Sequence, residues 1–276
     1  MTTHPSPVLE ITPLEVLAEL RKVEAKGLHE TAKRMRSAYG EVFRYAVMTA
    51  KATQDPTSAL RGALTIPIVK HRAAITDPKE LGALLRAIDG FSGQPTTIAA
   101  LKLMALLFPR PGELRLAEWP EFDLSSAVWA IPASRTKMRR EHRVPLSRQA
   151  IQVLENLFPF TEHSALVFPG LQSATKPISE NTMNLALRRL GYTKDEATSH
   201  GFRATASSLL NESGKWSADV IERALGHQDA DAVRRAYARS EYWKERVEMN
   251  QWWADYLDAL REGGRFTPFL PKAEDF

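Results

Sequence analysis

The chain of 276 residues contains no cysteine. That excludes disulfides and thiolate metal sites and is compatible with a reducing cytoplasm. No uninterrupted apolar run approaches the ~18 residues that a membrane span needs. The first ten residues carry Pro5 and Pro7 and no apolar stretch, so they do not read as a secretory signal. There is no H-E-x-x-H zinc pattern and no G-x-x-x-x-G-K-[ST] phosphate loop, so neither a metal nor another cofactor is expected. Internal repeats and low-complexity blocks are also missing. Positive charge is only mildly in excess, at +4 net, with a sequence pI near 9.3. Such a balance decides nothing by itself; local clustering matters more.

What is present is a helical chain with 43% apolar residues, enough for one large or two modest cores. Thr12-Pro13-Leu14-Glu15 reads as an N-cap, a first-turn proline and a capping-box glutamate; Leu17, Leu20 and Val23 form a stripe, and Gly27 ends the helix. A long helix follows over roughly residues 29–51, with Met35, Ala38, Tyr39, Val42 and Ala46 on its apolar face and Lys33, Arg34, Arg36 and Arg44 opposite. Residues 55–76 lack a period and read as a linker with one or two short elements. Asp77-Pro78-Lys79-Glu80 then repeats the capping logic before Leu81, Leu84, Leu85 and Ile88, with Gly90 closing the helix. Residues 97–107 are almost wholly apolar and predict a buried helix, which Arg110-Pro111-Gly112-Glu113 interrupts and restarts.

The period then changes. Residues 127–132 and 143–146 predict two short strands joined by the basic loop SRTKMRREH, a β-hairpin with a charged tip. Helices resume to about Leu260, with caps at Ser147, Ser179 and Ser217, and the tail from Gly263 is rich in glycine, proline and charge. The expected fold is mainly α (α+β): residues 1–69 form a small helical domain, and residues 70–276 a larger domain of helices around a small antiparallel sheet.

Six residues stand in a distinctive order. Arg110 lies at a helix break, Lys137 on the hairpin loop, and His200 and Arg203 in an H-x-x-R that opens a helix. His227 follows Leu225-Gly226 just past a helix end, and Tyr237 sits downstream among Arg234, Arg235 and Arg239. Taken singly, each has an ordinary structural reading. Arg110 can pair with Glu113, Lys137 can be one solvated charge among several, and Tyr237 is one of six tyrosines. Their order, and the segments RPGELRLAEWPEFDL (110–124), TKMRREHRVPLSRQA (136–150), SHGFRATASSLLNE (199–212), ERALGH (222–227) and AYARSEYWKERVEMNQWWADYLDAL (236–260), resemble the tyrosine recombinases, or phage-type integrases. The likeness runs from about Ile11 to Leu260.

The resemblance implies a site-specific DNA recombinase that cleaves and rejoins strands through a 3′-phosphotyrosyl link, with no external energy source. Tyr237 is then the nucleophile, and Arg110 and Arg203 grip the non-bridging phosphate oxygens. His200 is the candidate proton acceptor, His227 a donor to phosphate, and Lys137 the acid for the leaving 5′-oxygen. Glu113 would orient Arg110 or cap its helix. DNA contacts are expected from Lys33, Arg34, Arg36 and Arg44 on the long helix and from Arg139, Arg140 and Arg143 on the hairpin.

The implied partners are duplex attachment sites, three further protomers in a homotetramer on synapsed DNA, a directionality factor and a host DNA-bending protein. The implied location is the cytoplasm, at the nucleoid. Longer relatives carry an N-terminal arm-binding domain and a complete core-binding domain. Here the former is not read, and residues 1–69 look like a partial version of the latter. Two other expectations stay open: a truncated remnant that binds DNA without recombining it, and a type IB topoisomerase-like enzyme. The helix holding Trp252 and Trp253 is expected to pack on its own domain or on a neighbour.

Overall fold

The computed structural model describes residues 8–66, 73–227 and 242–263. Tyr237 with Arg234, Arg235 and Arg239, and the tail beyond Gly263, lie outside the described residues. Among the described residues no helix is long and apolar enough to cross a membrane. The chain divides into two compact units, Met1–His71 and Arg72–Phe276.

In the first unit, α1 (Pro13–Glu24) starts as its sequence dictates: the Thr12 hydroxyl accepts from the Glu15 N–H, and the Glu15 carboxylate accepts from the Thr12 N–H. α1 packs on α2 (His29–Met48), and Val16, Leu20, Phe43 and Leu60 form the small core. The apolar face of α2 is rotated from the one predicted. Ala32, Gly40, Phe43 and Ala46 are buried, whereas Val42 is exposed, and Ala38 with it. The reason lies beyond Asp55. Residues expected to be linker fold back as a turn at Ser58–Leu60, and Leu60, Ala63 and Leu64 join the core and fix which stripe is covered.

The second unit is built around α4 (Pro95–Leu107), with nine buried residues, against which α3 (Pro78–Asp89) and α6 (Arg148–Thr161) pack. Asp77, Ser147 and Ser217 accept backbone N–H groups as N-caps. Ser179 does not; its hydroxyl meets the Thr182 hydroxyl, and α7 (Thr182–Arg189) starts after Asn181 without a side-chain cap. Short α5 (Pro111–Arg115) follows α4. The expected hairpin is β2 (Val128–Ile131) and β3 (His142–Pro145), paired antiparallel from Val128↔Pro145 to Ile131↔His142. A third strand, β1 (Phe122–Asp123), extends it, and β4 (Pro169–Gly170) and β5 (Ser173–Pro177) form a separate pair. The helices α8 (Gly201–Glu212), α9 (Ala218–Ala224) and α10 (Trp243–Arg261) complete the unit.

The fold is therefore mainly α with small antiparallel sheets, as expected. α10 packs on its own unit: Trp253 is buried, lies edge-on to Phe108 and donates its indole N–H to the Ala105 carbonyl at 2.9 Å.

Candidate active site

The site is organised by the end of α9. A helix terminus leaves its last carbonyls without intrahelical partners. Three consecutive ones are taken up here by side chains from elsewhere. The Ala224 carbonyl meets His142 Nε2 at 3.2 Å, Leu225 accepts from Arg203 at 2.6 Å, and Gly226 accepts from Arg110 at 3.1 Å. Gly226 makes this turn possible: its φ of +62° lies in the left-handed region that residues with a Cβ avoid.

Arg110 is placed by α5. Glu113, one turn on and almost fully buried, accepts from the Arg110 backbone N–H at 3.0 Å and from its guanidinium at 2.7 Å. Glu113 thus caps α5 and contacts the Arg110 guanidinium with the same carboxylate. A second arginine supports the arrangement. Arg135, at the hairpin base, donates to the Glu113 backbone carbonyl at 3.4 Å and pairs with Glu121, which also accepts from the Trp129 indole.

Arg203 sits one turn into α8. It donates to the Phe108 carbonyl at 2.7 Å and contacts His227 Nε2 at 3.3 Å. Phe108 presents that carbonyl from a left-handed turn (φ 41°) at the end of α4. α8 can approach closely because residue 201 is glycine: a Cβ there would lie 2.2 Å from the Ala73 carbonyl oxygen. His227 is fixed from both sides. Its Nδ1 lies 2.7 Å from the Glu222 carboxylate, while Nε2 faces the Arg203 N–H. A guanidinium only donates, so both contacts are satisfied when the proton is on Nδ1. In this arrangement Nε2 accepts from Arg203, and the donation to phosphate that the resemblance implies for His227 requires that contact to be given up.

The structure thus brings Arg110, Arg203 and His227 together. His200 is the exposed residue at the start of α8, three positions before Arg203 and hence on the same helical side. Lys137 is exposed on the hairpin turn, which Thr136 closes by donating to the Arg140 carbonyl at 2.7 Å and accepting from the Arg140 N–H at 3.1 Å. Arg139 occupies the left-handed position of that turn (φ 51°). Beneath the turn is a cleft of about 110 Å³, lined among the described residues by five arginines, Arg110, Arg140, Arg143, Arg223 and Arg246, with His142 and His227. One carboxylate, Glu141, joins that lining, so the cleft is strongly cationic.

On the first unit, Lys33, Arg34 and Arg44 are exposed on α2. Arg34 pairs with Glu30 and Arg44 with Asp55. Arg36 is half-buried and donates to the Leu60 carbonyl at 3.3 Å, so it is engaged with its own unit.

Sequence reading missed His142, Glu222 and Arg246. His142 lies two residues before the buried Val144 on β3, and strand alternation places them on one face. Starting the strand one residue late hid it. Arg246 falls on the buried stripe of α10 with Met249, Asn250 and Trp253, and donates to the Arg143 carbonyl. Glu222 reaches His227 only because the chain turns at Gly226, which no helical period reveals.

Burial above all, then the charge of Arg246 and, less, those of Arg110 and Arg203, push the His142 imidazole down to about 3, against the opposing bond to Ala224. Between about pH 6.5 and 3 the unfolded chain therefore takes up a proton at residue 142 that the folded chain refuses. Stability present above the unfolded value of 6.5 is lost as pH falls toward 3. Urea melts should show wild type losing more stability than His142→Gln between pH 7 and pH 4, by on the order of 3 kcal/mol. Parallel profiles would contradict this placement of the imidazole.

The sequence matches the model of the phage integrase family over residues 75–243 and that of the phage integrase central domain over residues 2–63. It is 41% identical over 270 residues to the integrase of Enterobacteria phage P4, covering 93% of this chain and 61% of that protein. The chain thus spans about three fifths of that relative's length. Among solved structures, a lambda integrase dimer bound to a COC′ core site matches with a TM-score of 0.64 at 20% identity, over 86% of this chain and 83% of that one. A lambda integrase tetramer bound to a Holliday junction matches with a TM-score of 0.63 at 18% identity, over 81% and 66%. These likenesses show a shared fold. The chain belongs to the phage integrase family of tyrosine recombinases.

Proposed function

We propose that this chain is a site-specific recombinase that cleaves and rejoins duplex DNA for the integration or excision of a mobile element. The observation that carries the reading is the convergence of Arg110, Arg203 and His227 on one helix end, beneath the hairpin that bears Lys137. Two guanidiniums stay charged at any working pH and suit the two non-bridging oxygens of a phosphodiester. The described contacts engage two of the five N–H donors of Arg110. Preorganised donors of this kind stabilise the more negative pentacoordinate transition state.

In the proposed reaction the Tyr237 oxygen bonds to phosphorus as the bond to the 5′-oxygen breaks. The phenolic proton goes to His200, and Lys137 protonates the departing 5′-oxygen. The product is a 3′-phosphotyrosyl ester and a free 5′-hydroxyl. The 5′-hydroxyl of a partner strand reverses the step, and two such rounds exchange the duplexes. The residues 1–69 domain would hold DNA through Lys33, Arg34 and Arg44 with some help from Arg36, and Arg139, Arg140 and Arg143 would flank the cleavage point in the 70–276 catalytic domain. Four protomers on synapsed duplexes, at the bacterial nucleoid in the cytoplasm, complete the reading, with a directionality factor and a host DNA-bending protein as accessory partners. The lambda tetramer on a Holliday junction supports the assembly through its shared fold.

The test uses nicked duplexes tiled across the DNA that flanks the encoding gene. At least one should give a slow-migrating, protease-sensitive covalent adduct on a denaturing gel. Duplexes that shift in a native gel yet yield no adduct would replace this proposal with a binding-only role.

A further inference from the structure

His142 joins two parts of the site that the chain builds separately. It is the last rung of the β2–β3 ladder, opposite Ile131, where the hairpin leaves its strands and begins the turn that carries Lys137. It also reaches the Ala224 carbonyl, first of the three consecutive carbonyls that hold His142, Arg203 and Arg110. We propose that His142 is a positioning residue: its Nε2–H bond to Ala224 pins the hairpin to the end of α9, so that Lys137 and the arginine pair share one geometry. The inference rests on the strand-transfer reading above.

Three features support it. The turn is closed on itself by Thr136 and Arg140, so it moves as a unit with its base, and the His142 anchor sits at that base. The Ala224, Leu225 and Gly226 carbonyls are consecutive on one helix end, so a shift of that end at the His142 contact also moves the two carbonyls that hold the guanidiniums. The chemistry of the anchor fits its surroundings too. His142 shares the cleft with Arg110 and Arg246, and its ring lies 3.5 Å from the Cβ position at Gly226, where Arg110 stands at 3.6 Å. A neutral imidazole donates one N–H without adding charge, leaving the positive field of the guanidiniums to the phosphate. A lysine here would compete for the same anion.

The probe is a pair of nicked duplexes of the same flanking sequence, one with an ordinary scissile phosphate and one with a 5′-bridging sulfur. The sulfur leaves as a thiolate and needs no proton, so the second duplex bypasses Lys137. His142→Leu removes the donor and keeps much of the bulk. It should slow single-turnover cleavage of the oxygen duplex roughly 100-fold. On the sulfur duplex the loss should shrink to about tenfold or less, the part that passes through the arginines. Affinity in a gel shift should stay near wild type. His142→Gln, whose amide N–H reaches nearly as far as Nε2, should recover most of the oxygen-duplex rate.

Wild-type rates in His142→Leu, or an equal loss on both duplexes, would overturn the inference. Should His142→Leu not fold, Gln and Asn carry the test: Gln reaches the carbonyl and Asn falls short, so Gln must cleave the oxygen duplex about tenfold faster, and equal rates overturn the proposal. A wild type that forms no adduct on either duplex would instead bring down the strand-transfer reading itself.

Discussion

Arg203→Ala should slow single-turnover DNA cleavage by about 10³-fold, with a smaller effect on DNA affinity. The expectation comes from what Arg203 touches. One guanidinium nitrogen reaches the Phe108 carbonyl at the end of α4, and the other reaches the Leu225 carbonyl at the end of α9 and the His227 ring. The side chain is therefore held by two backbone carbonyls before any phosphate arrives, so little reorganisation is needed in the transition state. Arg203→Lys should recover little of the rate. A single ammonium cannot reach two carbonyls and a phosphate oxygen in one plane, and the fork geometry is lost. A thermal melt of each variant separates loss of catalysis from loss of fold. A folded Arg203→Ala that cleaves within about tenfold of wild type would remove Arg203 from the proposed role.

Lys137→Ala carries the second large effect, between about 10² and 10⁴-fold on an ordinary phosphodiester. Lys137 is exposed on a turn pinned by Thr136, between Thr136 and Met138, which both line a cleft rich in arginine. If it supplies the proton to the leaving 5′-oxygen, replacing that oxygen by sulfur makes the proton unnecessary. The same variant should then cleave the sulfur duplex at nearly the wild-type rate. A defect of equal size on both duplexes would mean that Lys137 holds the phosphate, and the general acid would have to be sought elsewhere.

Much of this architecture was legible because it is local. Thr12, Asp77, Ser147 and Ser217 cap the helices they precede, the apolar run of α4 is buried, and the change of period marks β2 and β3. The failures are long-range. The face that α2 buries depends on Leu60 returning to it, and that return has no signature in the helix itself. Strand β1 has two residues, too few to show alternation.

The site divides in the same way. The order of Arg110, Lys137, His200, Arg203 and His227 suggested a common centre, and three of the five meet at the end of α9. The carbonyls that hold the two arginines are backbone atoms and leave no mark in sequence. His142 was within reach, since alternation with Val144 points it inward, but a strand boundary drawn one residue late put it on the loop.

In the proposed reaction the cleaved strand is carried by Tyr237, and mapping the covalent adduct locates the residue that holds it. The covalent complex from a nicked duplex is digested with nuclease and trypsin and read by mass spectrometry. Trypsin cuts after Arg235 and Arg239, so a nucleotide on Tyr237 should appear on the four-residue peptide AYAR (residues 236–239), with the 3′-phosphate esterified to the phenol. Tyr237→Phe should yield no adduct on the same duplex. A nucleotide found on a peptide without Tyr237, or an adduct that survives in Tyr237→Phe, would show that another residue is the nucleophile.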